Sequence, residues 1–240
     1  MHINMMKKQN IIAIIPARGG SKGIRLKNIQ NVNGLPLIAY TINAAKESKC
    51  FSQIVCATDS KEIAEIALHY GAEVPYLRGK QNSHDKSKTE SVIFEFIDYL
   101  SKKGEKFDIL VTLQPTSPLR TGLTIRKMVK RFIEENWDSA LTISAVHESP
   151  VLMRSLEQNN QVSKIVQLKS NVRRQDFPKF YRVNGAIYIN KAESITPNLA
   201  LNENKYGYIL NEFESTDIDD YNDLAWVSNL LKFSQTCKNL

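Results

Sequence analysis

Short apolar segments rich in β-branched residues alternate along this chain with segments whose apolar residues recur every three or four positions. The first kind predicts buried parallel strands, and the second predicts amphipathic helices that connect them. The predicted strands are Ile11–Pro16, Gln53–Thr58, Glu73–Leu77, Phe107–Leu113 and Ser139–Ala145. The predicted helices are Pro36–Lys49, Ser60–Tyr70, Glu90–Lys103 and Gly122–Asn136. This alternation is typical of an α/β fold, a Rossmann-like three-layer sandwich.

The alternation stops between His147 and about Lys179, where polar, basic and Asn/Gln-rich residues predominate. Order returns with strand patterns at residues 185–190 and 206–210 and a helical pattern at 220–231. No internal repeat or low-complexity linker marks a boundary. We therefore predict one domain over residues 10–235, with an excursion from the core at about 147–179.

Charge and composition narrow the class of ligand. The 240 residues are 42% hydrophobic and carry 32 Lys and Arg against 25 Asp and Glu, a net charge of +7. The basic residues lie in short mixed segments at 18–27 and 164–182 rather than in a dense tract. This distribution favours small anionic ligands over nucleic acid, and no apolar stretch approaches the ~20 residues that span a bilayer.

The cysteines and the amino-terminal residues bear on localisation. Cys50, Cys56 and Cys237 lack the spacing of a zinc site or a disulfide framework. The apolar run that follows Lys8 is short and passes directly into Arg18, which does not fit a secretory signal. We therefore expect a cytoplasmic protein without a membrane segment.

A glycine-rich loop follows the first predicted strand. Residues 17–28, the first loop, contain three glycines and four basic residues. Glycine allows close backbone approach to phosphate, backbone N–H groups form an anion nest, and Lys and Arg supply the opposite charge. The spacing is neither G-x-G-x-x-G nor a Walker A motif. The loop lies where α/β sheets bind ligands, and the alternative is an ordinary turn with solvated basic residues.

These residues resemble the A-R-x-x-S-K-G-x-x-x-K-N segment of the CMP-sialic acid synthetases, the acylneuraminate cytidylyltransferases. The resemblance implies that the CTP phosphates and nucleotide are bound by Arg18, Ser21, Lys22, Lys27 and Asn28. Residues 54–59 and 71–78 look like two further segments of the family, which implies that Arg78 contacts CTP. The alternative for Arg78 is a surface charge at a strand end.

The stretch Leu113–Gly122, L-Q-P-T-S-P-L-R-T-G, has two prolines that fix the backbone directly after a buried strand. It is similar to the family's L-Q-P-T-S-P-L-R, which implies that Gln114 lies between sugar and nucleotide. Farther on, residues 174–188 look like R-R-Q-x-x-P-x-x-x-R-x-N-G-A-I-Y of the family. An arginine fork matches a carboxylate, and the resemblance implies that Arg174 anchors the sugar acid across a homodimer interface.

Residue roles near the end of that strand stay open in part. The resemblance implies that Tyr188 lines the sugar pocket, although a strand tyrosine is often part of the core. Asn184 and Gly185 are also explained by turn chemistry alone.

Two carboxylates, Asp217 and Asp219, stand on alternate positions of an extended segment and therefore on one side of it. This geometry suits one Mg²⁺ ion, or Mn²⁺, held against phosphate oxygens. The family's S-x-D-I-D occurs at the same place. The alternative is that Asp219 or Asp220 caps the last helix, and Asp59, at a strand end, is a reserve candidate for the metal.

The resemblance runs from about residue 10 to residue 231, with two departures. The family often has a lysine after a His-Pro pair where this chain has residues 149–154, so that Arg154 is a candidate substitute. Family members that act on N-acetylneuraminate show paired aromatic residues where this chain has residues 198–202. The second departure concerns the pocket for the sugar's substituents.

The resemblance implies a nucleotidyltransferase in which the anomeric hydroxyl of a nonulosonic acid attacks the α-phosphorus of CTP and pyrophosphate leaves. Arg18, Lys22, Asp217 and Asp219 would be catalytic by neutralising charge, the last two through the metal. N-acylneuraminate is the first candidate acid, and legionaminate, pseudaminate and 3-deoxy-manno-octulosonate are alternatives. A non-catalytic nucleotide- or RNA-binding module is the alternative of another class, although it has no use for the carboxylate pair.

Overall fold

The computed structural model describes residues 9–20, 23–79 and 89–238. Ten strands are present among them: β1 Ile11–Pro16, β2 Asn31–Val32, β3 Leu35–Pro36, β4 Gln53–Ala57, β5 Ile109–Leu113, β6 Ser139–Ala145, β7 Arg154–Leu156, β8 Val162–Lys164, β9 Tyr181–Lys191 and β10 Tyr206–Ile209. The α-helices described are α1 Leu37–Ser48, α2 Lys61–Tyr70, α3 Thr89–Lys103, α4 Gly122–Glu134 and α5 Tyr221–Lys238.

The main sheet has the strand order β10-β6-β9-β5-β1-β4. β1 pairs in parallel with β4 and β5, β10 pairs in parallel with β6, and β9 runs antiparallel to both of its neighbours. The carboxyl ends of β1, β4 and β5 therefore share one edge with the amino-terminal part of β9. The α/β fold predicted from the sequence is confirmed.

Helices cover both faces of the sheet, and β1 is therefore buried on both sides. Ala13 and Ile15 face a core to which α1, α2 and α4 contribute, whereas Ile12 and Ile14 face a second core built with α3. A strand that is buried on both sides reads as a continuous apolar run, as Ile11–Pro16 does. A third, smaller cluster joins Ile218 and Val227 of the carboxyl-terminal region to the first loop.

Two local predictions differ from the structure. The predicted strand Glu73–Leu77 is wrong: this segment makes only isolated bridges, Val55 with Glu73 and Thr58 with Leu77. Pro75 lies between the bridges and has no N–H to continue a ladder. Strand β9 begins at Tyr181, four residues before the predicted start at Gly185. The strand passes through a register shift opposite Leu141 and Ile143, and such a bulge interrupts the alternation of side chains by which a strand is recognised in the sequence.

The excursion at 147–179 consists of short 3-10 turns and the antiparallel pair β7-β8. Several of its large apolar side chains are exposed, among them Leu156 at 71%, Val162 at 61% and Ile165 at 59%. Within the described ranges, no helix is long and apolar enough to cross a membrane.

Candidate active site

A cavity of about 330 Å³ lies at the carboxyl edge of the sheet, and we call it the first cavity. Its walls include seven of the residues singled out in the sequence: Arg18, Lys27, Asn28, Arg78, Gln114, Asp217 and Asp219. Sequence reasoning missed the further lining residues Thr89, Val92 and Thr116. The candidates Ser21 and Lys22 lie outside the described residues. The fold thus brings together these seven predicted residues from four distant segments of the chain.

The first loop is held in place by hydrogen bonds to its backbone. The N–H of Gly19 donates to Asp59 Oδ1 at 2.8 Å, and Asn28 Nδ2 donates to the carbonyl oxygen of Arg18 at 3.0 Å. Asn28 is only 7% exposed, so part of its function is to shape the loop. Asp59, the reserve metal candidate, instead holds the backbone of this loop and is not among the described residues that line the first cavity.

A second set of contacts joins the first loop to the carboxylate segment, Ser215–Asp219. Lys27 Nζ donates to the carbonyl oxygen of Ile218 at 2.7 Å and lies 3.5 Å from Asp219 Oδ1. Gly23 packs so closely that an added Cβ would lie 2.6 Å from the carbonyl oxygen of Asp219. The third glycine of the loop is therefore required by backbone approach.

Arg78 is a buried residue, with 6% exposure, rather than a surface charge at a strand end. Its Nε donates to Glu95 Oε2 of helix α3 at 3.2 Å. A carboxylate partner fixes the direction of a long side chain and reduces the entropy lost when a ligand binds. Arg78 is therefore presented to the first cavity in a defined orientation.

The backbone around Gln114 is fixed by a buried cation that sequence reasoning missed. Arg120 is 2% exposed, and its guanidinium donates to the carbonyl oxygens of Gln114 at 3.2 Å and Ala186 at 2.7 Å. Its other terminal nitrogen donates to Thr41 Oγ1 at 2.8 Å. Burial lowers the pKa of Arg120 to about 9. Arg120 is the arginine of the L-Q-P-T-S-P-L-R motif, and this position in the motif was the one feature of the sequence that could have drawn attention to it.

A second cavity, of about 280 Å³, adjoins the first and shares with it Gln114, Thr116 and Asp217. Tyr188, 5% exposed, lines this cavity and also belongs to the core beneath the sheet. Its hydroxyl donates to Asn202 Oδ1 at 2.7 Å. Burial, followed by the charges of Glu90 and Asp217, raises the pKa of Tyr188 to about 12. The phenol is therefore neutral at physiological pH.

Asn184 and Gly185 also line the second cavity. Gly185 has φ +76°, a left-handed conformation that favours glycine. The Oδ1 atom of Asn184 accepts hydrogen bonds from Thr142 Oγ1 at 2.6 Å and from the N–H of Ala186 at 3.2 Å. Both residues lie at the register shift within β9, so a bulge in the strand rather than a turn accounts for them, and this bulge forms a wall of the cavity.

Asp217 is the more buried of the two candidate metal ligands. Burial raises the pKa of Asp217 and Asp219 adds to the effect, while a hydrogen bond with Thr116 and the charge of Lys27 act in the opposite direction. Within the described part of the chain, Asp217 Oδ1 is buried without a hydrogen-bond partner. A buried, unpaired carboxylate oxygen is unfavourable unless a cation accompanies it.

The helix-capping alternative is accounted for by Asp220. Its Oδ1 accepts hydrogen bonds from the N–H groups of Asn222 at 2.8 Å and Asp223 at 3.0 Å. Asp223 Oδ2 reaches back to the N–H of Asp220 at 3.0 Å, which completes a capping box. The start of α5 is therefore capped without the carboxylates of Asp217 and Asp219, which both line the first cavity.

Arg174 lies apart from these walls. Its Nη2 donates to the carbonyl oxygen of His147 at 3.3 Å, at an exposed position. Arg174 is not among the described residues that line the first or the second cavity. Arg154 donates to the carbonyl oxygens of Val151 and Met153 and lines neither cavity in the described part of the chain.

Residues 12–231 match the sequence model of the cytidylyltransferase family. The chain therefore belongs to that family and is a nucleotidyltransferase. Its fold is similar at low sequence identity to a solved structure: CMP:2-keto-3-deoxy-manno-octonic acid synthetase in complex with CTP has a TM-score of 0.70 at 14% identity, and the comparison covers 94% of this chain and 99% of that one.

Several relatives are named for nonulosonic acids. The chain is 38% identical to CMP-N,N′-diacetyllegionaminic acid synthase of Legionella pneumophila, over 94% of this chain and 97% of the relative. It is 33% identical to pseudaminic acid cytidylyltransferase of Campylobacter jejuni, over 92% and 96%. It is 34% identical to N-acylneuraminate cytidylyltransferase of Escherichia coli, over 90% of this chain but 51% of that longer protein.

Proposed function

We propose that this enzyme converts CTP and a nonulosonic acid to the CMP-linked sugar acid and pyrophosphate. The observation that carries the proposal is the adjacency of the two cavities, which share Gln114, Thr116 and Asp217. A reaction between two bound substrates needs their reacting atoms side by side. The first cavity suits CTP and the second suits the sugar acid, so that the shared wall lies beside the reacting atoms.

The positively charged lining supports CTP as the ligand of the first cavity. Arg18 and Lys27 of the first loop and Arg78 of a distant segment converge there. Charges that are already in position stabilise the negative charge that develops on the phosphates. Ser21 and Lys22 remain proposed phosphate ligands, and Asn28 is proposed both to shape the loop and to contact the nucleotide.

Asp217 and Asp219 are proposed to hold Mg²⁺ or Mn²⁺. Mg²⁺ in nucleotide sites typically takes one or two protein carboxylates together with substrate phosphates, and the unpaired Asp217 Oδ1 beside a second carboxylate fits that donor set. The ion would neutralise phosphate charge at the α-phosphorus. Asp217→Asn and Asp219→Asn should then lower turnover by orders of magnitude, whereas Asp220→Asn, at the helix cap, should leave it near normal.

The sugar acid is proposed to carry acylamino groups. The names of the L. pneumophila and E. coli relatives specify diacetyl and N-acyl acids. N-acylneuraminate and N,N′-diacetyllegionaminate both belong to this chemical class. Tyr188 and Gln114 are proposed to contact the sugar ring, since both line the second cavity.

A homodimer is proposed because no arginine or lysine is among the described residues that line the second cavity, although the sugar acid carries a carboxylate. Arg174 is exposed on the excursion, and Leu168 and Val172, which lie near it in the sequence, have side chains exposed by 39% and 44%. A second copy that covers this surface would bury the apolar groups and bring Arg174 toward the partner's second cavity. We propose that Arg174 binds the sugar carboxylate in this way.

The direct test incubates the pure protein with each of the four nucleoside triphosphates and a panel of sugar acids, with Mg²⁺. The panel contains N-acetylneuraminate, N,N′-diacetyllegionaminate, diacetylpseudaminate and 3-deoxy-manno-octulosonate. We expect pyrophosphate release with CTP and only in the presence of an acylamino acid. Release from CTP without any sugar acid, or no release with every acid, would overturn the proposal.

A further inference from the structure

Asn202 stands on a short 3-10 turn whose two flanks are fixed to the body of the protein. Leu201 is 3% exposed, packs in the core with α3, and donates its N–H to Glu90 Oε1 at 3.1 Å. On the other flank, Asn204 Nδ2 donates to the carbonyl oxygen of Ala140 at 2.8 Å. Because both neighbours are anchored, the exposed Asn202 side chain projects from a rigid backbone.

Only one of the two polar atoms of the Asn202 amide forms a hydrogen bond within the described part of the chain. Its Oδ1 accepts the hydrogen bond from the Tyr188 hydroxyl at 2.7 Å, and this contact sets the orientation of the amide group. Its Nδ2 donates no hydrogen bond to the described part of the chain. Since Asn202 lines the second cavity, an oriented amide donor is available to a ligand there.

We propose that Asn202 is a specificity-determining residue that donates Nδ2–H to the carbonyl oxygen of an acylamino substituent on the sugar acid. This inference rests on the proposed function. Val183 and the ring of Tyr188 supply apolar surface in the same cavity, which suits the methyl group of an acyl chain. An acylamino group combines a methyl group with a carbonyl acceptor, whereas a hydroxyl group in its place offers neither.

The test compares two sugar acids on matched variants. Asn202→Asp keeps an oxygen that accepts the Tyr188 hydroxyl but replaces the amide donor with an oxygen that repels a carbonyl. Asn202→Ala removes the donor without adding charge near Asp217. Asn198→Asp is the control, because Asn198 is exposed on the same segment and is not among the described residues that line the second cavity.

The substrates are N-acetylneuraminate, or N,N′-diacetyllegionaminate if the wild type prefers it, and the analogue with a hydroxyl group in place of the acylamino group. Losing one oriented hydrogen bond should lower kcat/KM for the acylamino acid by about 5- to 10-fold in both Asn202 variants. The analogue should be affected by no more than about 3-fold, and KM for CTP should stay unchanged. The control should match the wild type on both acids.

The failures of the two proposals are distinguishable. If the wild type releases no pyrophosphate with any sugar acid, the proposed function is wrong. If the wild type is active but both Asn202 variants match it on the acylamino acid, Asn202 does not select the substrate. Equal losses on the acylamino acid and its analogue would show a structural role and would likewise overturn the inference.

Discussion

Lys27 Nζ lies 3.5 Å from Asp219 Oδ1, although the two residues stand near opposite ends of the sequence. The Lys27 side chain is 14% exposed and that of Asp219 is 83% exposed, so the contact extends from the interior to the rim of the first cavity. Together with the hydrogen bond from Lys27 to the Ile218 carbonyl, it ties the proposed phosphate site to the proposed metal site. A substitution at the proposed phosphate site should therefore also alter metal binding at the other site, and the reverse.

Lys27→Met should impair use of the nucleotide more than use of the sugar acid. The variant loses a charged donor to a backbone carbonyl, a bond that contributes roughly 1.5–3 kcal/mol, and it also loses a charge that is proposed to face the phosphates. We expect KM for CTP to rise about 10-fold or more with a small change in KM for the sugar acid. The control is Lys102→Met, because Lys102 forms an exposed pair with Asp98 on α3. Equal KM values for CTP in the two variants would count against a role for Lys27.

Asp217→Asn should stabilise the metal-free protein at neutral pH. The folded-state pKa of Asp217 is raised, mainly by burial, so the folded state binds its proton more tightly than the unfolded state does. The contribution of this group to stability is present at low pH and is lost as pH rises through the folded-state pKa. The variant's advantage over the wild type should therefore appear above that pKa and vanish below the ordinary range of a carboxyl group.

This second prediction is checked by urea unfolding of both proteins in EDTA across a pH series. Asp219→Asn is the comparison, since Asp219 is exposed and its replacement should change metal-free stability much less. A lower stability of Asp217→Asn at neutral pH would show that this carboxylate has a favourable partner in the metal-free state. That result would remove the electrostatic argument for a cation at this position.

Arg120→Met should destabilise the fold and disturb the wall between the cavities. The substitution leaves buried carbonyl oxygens at Gln114 and Ala186 without their donor, and each unsatisfied group costs about 1–3 kcal/mol. The control is Arg126→Met, because Arg126 donates to two backbone carbonyls from an exposed position. Water replaces those bonds, so denaturant unfolding should show a loss below about 1 kcal/mol. Equal losses in the two variants would contradict the account of Arg120.

Arg174→Ala should be complemented in mixed dimers. If Arg174 acts on the sugar acid bound by the partner subunit, an Arg174→Ala chain paired with an Arg18→Ala chain forms one dimer site that has both arginines. Activity of a refolded mixture should then exceed the average of the two parent variants several-fold. Lys169→Ala, on the same exposed segment, is the control and should behave as the wild type. A mixture that equals the average would indicate that Arg174 acts within its own chain.

Much of the fold was predictable because its strands are buried on both faces or bounded by strong turn signals. Ile11–Pro16 and Ser139–Ala145 have the predicted bounds. The hairpin of β2 and β3 was missed because its strands have two residues each. Its signal was the Asn33-Gly34 pair, whose φ angles of +49° and +91° are both positive, as a tight hairpin turn requires.

The candidate site was predictable where the residue types themselves carry the chemistry. Motif letters in the sequence located Arg78, Gln114 and Asp217, which line the first cavity. Burial and pairing were not predictable, because they depend on contacts between distant segments. The three-dimensional structure was needed to identify three such features: the cap at Asp220, the buried cation at Arg120 and the contact between Tyr188 and Asn202.

The position of an oxygen label tests the central claim most directly. A nonulosonic acid carrying ¹⁸O in its anomeric hydroxyl is incubated with CTP, Mg²⁺ and the enzyme, and the products are analysed by mass spectrometry and ³¹P NMR. Attack of that hydroxyl on the α-phosphorus predicts one CMP-sugar for each pyrophosphate, with the label retained in the bond between sugar and phosphorus. Release of pyrophosphate with free CMP as the only other product, or a CMP-sugar without the label, would contradict the account.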